Sequence, residues 1–318
     1  MKIVVLGAGA LGSIIAGHLA KAGENVTLLA RGERAAYLKK NGITITGLAG
    51  FNTPCAITTD PRQLYEADAL IVTVKTYDME AALSSVAHAK FSYVTSVQNG
   101  VMANEQLASV FGSANTIGAS AGFSGEVLPG GEVRFTANGG FDVGELPKGS
   151  SQRTRELSDA LQKSGVNSKA IDDVLSLQWS KFAMWVGFTA IGVLTRLETY
   201  KFASDPGCAL TCVRIVREAA SIAAKMDIPI QDSGPIPVKA MVDGSEEEAV
   251  SATMGLGTRF ETQAPQHRMS VLQGLEQGRR LEIDETLGFA VAEARRLSVP
   301  APTLELCYGL LGGINRYL

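Results

Sequence analysis

Gly7-Ala8-Gly9-Ala10-Leu11-Gly12 has the spacing of a turn built to hold a pyrophosphate. Its context strengthens the motif. It follows the apolar, β-branched run Lys2–Leu6 and opens a helical stretch over Ser13–Lys21, inside a βαβ unit of suitable size. Each glycine has a physical task. Gly7 permits the tight turn, Gly9 leaves room for a phosphate at a helix N-terminus, and Gly12 lets the helix pack close to the strand. The chemistry implied is dinucleotide binding. Where an NAD site places Asp or Glu for the ribose 2′-hydroxyl, this chain has Ala30 and then Arg31, with Arg34 close behind. A guanidinium suits a 2′-phosphate that a carboxylate would repel, so NADPH/NADP+ is the expected pair. The alternative for Arg31 is a solvated loop arginine.

Two further loops follow apolar strands: Val74-Lys75, and Gln98-Asn99-Gly100 after Val97. Open α/β sheets bind ligands at that edge, which makes Lys75 a cofactor-groove candidate. Asn99 either hydrogen-bonds to a nicotinamide or substrate, or serves as the turn residue of an Asn-Gly pair, and both readings stay open. In the second half, Lys181 interrupts the nearly apolar stretch Trp179–Gly192. Such a lysine either faces a cleft or snorkels at a rim. Reduction of a ketone creates an alkoxide, and a desolvated ammonium can polarise the carbonyl and then protonate the oxygen. Glu282 and Asp284 could orient that lysine or bind a substrate hydroxyl; the plainer alternative is a charged helix junction.

These residues need elements to position them. Asn25–Leu29, Ala69–Val74 and Tyr93–Val97 read as further strands, with helical stretches between them, including Met79–Ala87. The alternation predicts a parallel sheet with right-handed crossovers. Thr116–Gly144 reads as an antiparallel addition to that sheet, with a hairpin around Pro129-Gly130-Gly131, and Ser151–Ser164 as a closing helix. Beyond Val174 the pattern is helical: Leu175–Gly192, Cys208–Met226, Val271–Gly278 and Thr286–Leu297, with Glu246–Glu248 a solvated helix start. The reading is therefore an α/β Rossmann-type domain over 1–172 and an all-α domain over 173–318. The expected active site lies in the cleft between them, because ligand pockets favour domain interfaces.

Composition excludes several classes. With 19% charged residues and a net charge of -3, the chain has no basic excess to suit nucleic acid. His18, His88 and His267 are scattered, and Cys55, Cys208, Cys212 and Cys307 contain no CxxC pair, so no metal site is expected. The cysteines read as free thiols of a reducing cytoplasm. No apolar run reaches the ~18 residues of a membrane span, and Met1–Leu6 lacks the parts of a signal peptide.

The ordered set Gly7–Gly12, Arg31, Val74-Lys75, Gln98-Asn99-Gly100, Trp179-Ser-Lys181, and Ser270 ahead of Glu282-Ile-Asp284 resembles the ketopantoate reductase (2-dehydropantoate 2-reductase) family from Met1 to near the C-terminus. The resemblance implies a second domain of the 6-phosphogluconate dehydrogenase C-terminal type. It also implies NADPH-dependent reduction of a 2-keto acid, ketopantoate by default, in pantothenate and coenzyme A biosynthesis. By the same resemblance Lys181 is the proton donor and Glu282 its catalytic partner. Ser270 helps hold the substrate, and Asn99 stands at the nicotinamide–substrate junction. The family's asparagines four and eight residues after the lysine are here Trp185 and Thr189, and a further asparagine three before the serine is His267. Positions i, i+4 and i+8 share one helix face. The expected pocket is thus bulkier and more apolar, which admits a different 2-keto acid. A non-catalytic NADP(H) sensor is the remaining alternative, although it would need neither Lys181 nor Glu282. Apolar helix faces leave a homodimer open.

Overall fold

The computed structural model describes residues 1–318. The chain divides into two units. One comprises Met1–Asn99 and Ala103–Leu175, the other Gly100–Met102 and Ser176–Leu318.

The first unit begins with β1 (Lys2–Leu6), α1 (Ala10–Lys21), β2 (Asn25–Leu29), α2 (Gly32–Asn41), β3 (Ile43–Gly47), β4 (Phe51–Thr53) and β5 (Ala56–Thr58). It continues with β6 (Glu66–Val72), α3 (Met79–Val86), β7 (Lys90–Ser96), α4 (Ala103–Phe111), β8 (Ile117–Val127), β9 (Val133–Glu145) and α5 (Gln152–Ser164). Five strands form a parallel sheet in the order β5-β2-β1-β6-β7, as the alternation predicts. β1 shows why a buried parallel strand reads as a continuous apolar run. Ile3 and Val5 enter one core with α1 and α5, while Val4 and Leu6 enter another with α3 and α4.

One expectation is corrected. β8 and β9 do form an antiparallel hairpin, but it meets the parallel sheet only through an isolated bridge between Val94 and Thr116, just before β8. It belongs to a second sheet ordered β4-β3-β9-β8, in which β3 pairs parallel with β9 through Ile45↔Val133. The reason is that α1 buries two faces and needs cover on both. Ile14, Ile15 and Leu19 pack in one core with Ile43, Ile45, Phe135 and Phe141 of the second sheet. Gly17 permits the approach, since a Cβ there would lie 2.9 Å from Ile43 Cγ2.

The second unit is helical. Most of α6 (Val174–Thr195) lies in it, followed by α7 (Thr199–Ser204), α8 (Pro206–Lys225), α9 (Val238–Val242), α10 (Glu246–Gln263), α11 (Ser270–Glu276), α12 (Phe289–Arg296) and α13 (Pro302–Arg316). α6 is buried almost all round, as its nearly unbroken apolar sequence requires. Small residues let neighbours approach it: a Cβ at Gly187 would stand 3.0 Å from the Cys212 carbonyl of α8. The acidic run Glu246–Glu248 is a helix start, closed by a capping box in which Ser245 and Glu248 satisfy each other's backbone N–H groups. Thr286–Leu297 is not uniformly helical. A π-turn over Asp284–Gly288, in which Gly288 N–H donates to the Ile283 carbonyl at 2.9 Å, precedes α12. No helix is long and apolar enough to cross a membrane.

Candidate active site

Four expected site positions of the first unit come together at one edge of its parallel sheet. The register aligns Leu6 with Leu29 and with Val72, and Val72 with Ser96. The segments that leave these strand ends carry Gly7–Gly12, Arg31, Lys75 and Asn99. The chain order reverses beside β1, where a parallel sheet opens the crevice that takes a ligand.

The glycine turn fits a pyrophosphate on its own geometry. Gly7 has φ +116°, and a Cβ there would press on Thr73 and Val74 at 2.9 and 3.0 Å. A Cβ at Gly12 would stand 2.0 Å from the Gly7 carbonyl oxygen. Gly9 differs: a Cβ would meet no protein atom within 4 Å, so packing does not demand a glycine there. Space kept clear at a helix N-terminus suits an approaching anion. The turn's carbonyls are all tied back. Thr73 Oγ1 donates to Gly7 O at 2.8 Å, Arg34 Nε to Ala8 O at 3.0 Å, and Ser13 N–H to Gly9 O at 3.0 Å. The last is the first bond of α1, so the N–H groups of Ala10, Leu11 and Gly12 precede the intrahelical ladder.

The two arginines after β2 separate. Arg31, at the N-cap of α2, is exposed. Arg34 is half-buried and gives three N–H groups to the protein itself, whereas Arg31 stands exposed. Lys75 is exposed after β6, and Gln98 Nε2 donates to the Val74 carbonyl at 2.8 Å, joining the Lys75 and Asn99 loops. Sequence alone points to no role for Thr73 or Gln98, and for Arg34 it points to a 2′-phosphate rather than to the turn. A hydroxyl at the end of an otherwise apolar strand was the available signal for Thr73.

In the second unit, Lys181, Trp185 and Thr189 follow one another along one face of α6. Trp185 is 6% exposed and Thr189 fully buried, while Lys181 keeps some surface. Dense packing strips water from the Lys181 ammonium and lowers its pKa from an ordinary 10.5 to about 8. Thr189 Oγ1 makes no hydrogen bond within the protein. Neighbouring residues bring two more segments to this helix. Met269, just before Ser270, packs at Gly192, where a Cβ would lie 3.2 Å from Met269 Cγ. Phe289, just after the π-turn, packs on Trp179 and Phe182 at 6.4 and 6.3 Å between ring centroids. Ser270 thus opens α11 in an exposed position. Glu282, 4% exposed, stands two residues before the π-turn, and its carbonyl accepts from Thr286 Oγ1. π-Turns are frequent at functional sites. Gly100 packs here too: its φ is +90°, and a Cβ would stand 3.3 Å from Thr286 Cγ2.

His267 is held on one side by its own unit. Its Nδ1 lies 2.8 Å from Thr199 Oγ1, its ring packs on Phe260 with centroids 4.9 Å apart, and burial lowers its pKa. Its hydrogen-bonding capacity at Nδ1 serves the fold.

Two family models match this chain. Residues 3–148 match the family model described as ketopantoate reductase PanE/ApbA, and residues 173–315 match its C-terminal counterpart. A 2-dehydropantoate 2-reductase from Pyrococcus horikoshii is 26% identical over 312 residues, covering 98% of this chain and 96% of that protein. A PanE/ApbA family ketopantoate reductase from Ralstonia eutropha shares the fold with a TM-score of 0.84 at 22% identity, covering 100% and 99% of the two chains. D-Mandelate dehydrogenase, solved with NADH and anilino(oxo)acetate, does so with a TM-score of 0.86 at 18% identity and the same coverage.

Proposed function

This chain belongs to the ketopantoate reductase PanE/ApbA family, and on that premise we propose that it is an NADPH-dependent 2-keto acid reductase with ketopantoate as its default substrate. The observation that carries the reading is Lys181, a lysine in an apolar helix whose pKa burial lowers to about 8. A proton donor works best when its pKa lies near the working pH.

The first unit serves the cofactor. The N–H groups at the start of α1 receive the pyrophosphate, Arg31 pairs with the 2′-phosphate, and Lys75 and Asn99 line the nicotinamide end. When bound, the reduced nicotinamide supplies the hydride. The second unit serves the acid. Lys181 Nζ polarises the keto oxygen and gives a proton to the alkoxide, Glu282 orients the lysine, and Ser270 and Thr189 offer hydroxyls to the substrate. An ammonium in a desolvated site stabilises developing negative charge far better than one in water.

A second reading within the same chemistry rests on Trp185 and His267. An indole donates but cannot accept a hydrogen bond, and His267 is tied to Thr199. These side chains favour a 2-keto acid with an apolar side chain over one bearing ketopantoate's hydroxyl. A sensor without turnover has no specific observation in its favour. The test is NADPH consumption with ketopantoate beside a panel of 2-keto acids. Saturable turnover of ketopantoate supports the first reading, turnover of apolar acids alone supports the second, and none with any acid overturns both.

A further inference from the structure

We propose that Arg34 is a positioning residue that holds the glycine turn in its binding shape, and that it acts equally on NADPH and NADH. The inference rests on the reading of Gly7–Gly12 as the pyrophosphate site. Arg34 has the type and place of a 2′-phosphate ligand, but the structure uses it otherwise. Its Nε donates to Ala8 O at 3.0 Å, inside the turn. Its Nη2 donates to Ser13 Oγ at 2.9 Å, in the first turns of α1. Its Nη1 donates to the Gly131 carbonyl, at the tip of the β8–β9 hairpin. One planar fork therefore ties the glycine turn and the start of α1 to the distant β8–β9 hairpin, with its donors held in a fixed geometry.

The hairpin tip is a fixed anchor. Gly131 has φ +93°, and a Cβ there would stand 2.3 Å from the Tyr37 ring, so only glycine lets the tip press onto α2. The tip is closed by Gly131 N–H to Leu128 O at 2.9 Å and Leu128 N–H to Glu132 O at 2.8 Å. Arg34 also lies over the Tyr37 ring, 5.4 Å from its centroid. Ser13 adds a contact from the other side, its Oγ lying 3.3 Å from Ala8 O. With the Ala8 carbonyl held, the peptide groups of the turn stay oriented before a phosphate arrives, and less ordering remains to be done on binding. The pyrophosphate is common to both dinucleotides, whereas the 2′-phosphate is not.

The test measures Kd for NADPH and for NADH on the full chain, for wild type, Arg34→Met, Ser13→Ala and Arg31→Met. The expected result is that Arg34→Met weakens both dinucleotides by the same factor, roughly tenfold, as the loss of charge-assisted hydrogen bonds implies. Ser13→Ala weakens both equally and less, and it decides the matter if Arg34→Met does not fold. Arg31→Met weakens NADPH alone. In steady state, KM for the cofactor rises by more than kcat falls, which general loosening of the fold would not produce. Loss of NADPH binding alone in Arg34→Met would overturn the proposal, because Arg34 would then touch the 2′-phosphate. So would wild-type affinity in both Arg34→Met and Ser13→Ala. Failure of wild type to bind either dinucleotide would overturn the underlying reading of the turn and the proposal with it.

Discussion

Replacing Lys181 with methionine should make the protein more stable and nearly inactive. Burial lowers the Lys181 pKa from 10.5 to about 8, which means the folded state resists its charge. At about 1.4 kcal/mol per tenfold change, the charged side chain costs the native state roughly 3 kcal/mol as an upper bound, less where it keeps contact with water. Methionine fills similar space without a charge. Its gain is largest below pH 8, where lysine is protonated in both folded and unfolded chains. Between about pH 8 and 10.5 the unfolded chain binds the proton and the folded one does not, so wild-type stability rises with pH and the advantage of Lys181→Met fades. The assay is built in. The only two tryptophans, Trp179 and Trp185, lie on α6 on either side of Lys181, so their fluorescence reports unfolding of this helix in urea. At neutral pH the midpoint should rise by about 1 M, from usual urea sensitivities. Turnover should fall by roughly 100- to 10,000-fold, the usual contribution of a positioned acid. A variant with wild-type turnover, or one whose stability relative to wild type does not change between pH 7 and 10, would refute the reasoning.

Reduction by the wild type should follow the protonated form of Lys181, so kcat/KM should fall as pH rises through about 8 and stay level just below it; a profile flat to pH 10 would remove lysine as the donor. Gly9→Ala and Gly12→Ala should part company. The first meets no protein atom within 4 Å and should leave thermal stability intact while weakening NADPH binding roughly tenfold or more, whereas the second drives a Cβ to 2.0 Å from the Gly7 carbonyl and should unfold the turn itself, as melting curves and cofactor titrations on both will show. Thr189→Val removes a buried hydroxyl that has no partner within the protein and should raise stability by about 1 kcal/mol, while raising the substrate KM if that hydroxyl reaches the acid. A denaturation curve and a KM measurement separate the two effects.

The legible parts of the molecule are those where local pattern and environment coincide. The βαβ start was readable because a strand buried on both faces must be continuously apolar, and a turn that meets a phosphate must be glycine. Lys181 was readable as the odd residue in a buried helix. The edges of strands were less so. β6 begins at Glu66, three residues before its apolar run, since Glu66 and Asp68 point to water. The second sheet was missed because its defining pair, Ile45 with Val133, joins residues remote in the chain, and no local signal says which sheet a hairpin joins. The π-turn beside Glu282 was invisible for a related reason: one turn of wider pitch does not disturb apolar periodicity enough to register. Arg31 and Arg34 were equivalent on paper. Only the positions of Ala8, Ser13 and Gly131 around the second show that it is committed to the turn and the first is not.

Transfer of label tests the central claim most directly. NADPH carrying deuterium at its transferable C4 position is incubated with the wild-type chain and ketopantoate, and in parallel with 2-keto acids bearing apolar side chains, and the acids are analysed by mass spectrometry. The account predicts a 2-hydroxy acid with one deuterium at C2, and none with Lys181→Met over the same time. Tight binding of NADPH with no deuterium in any product would contradict it.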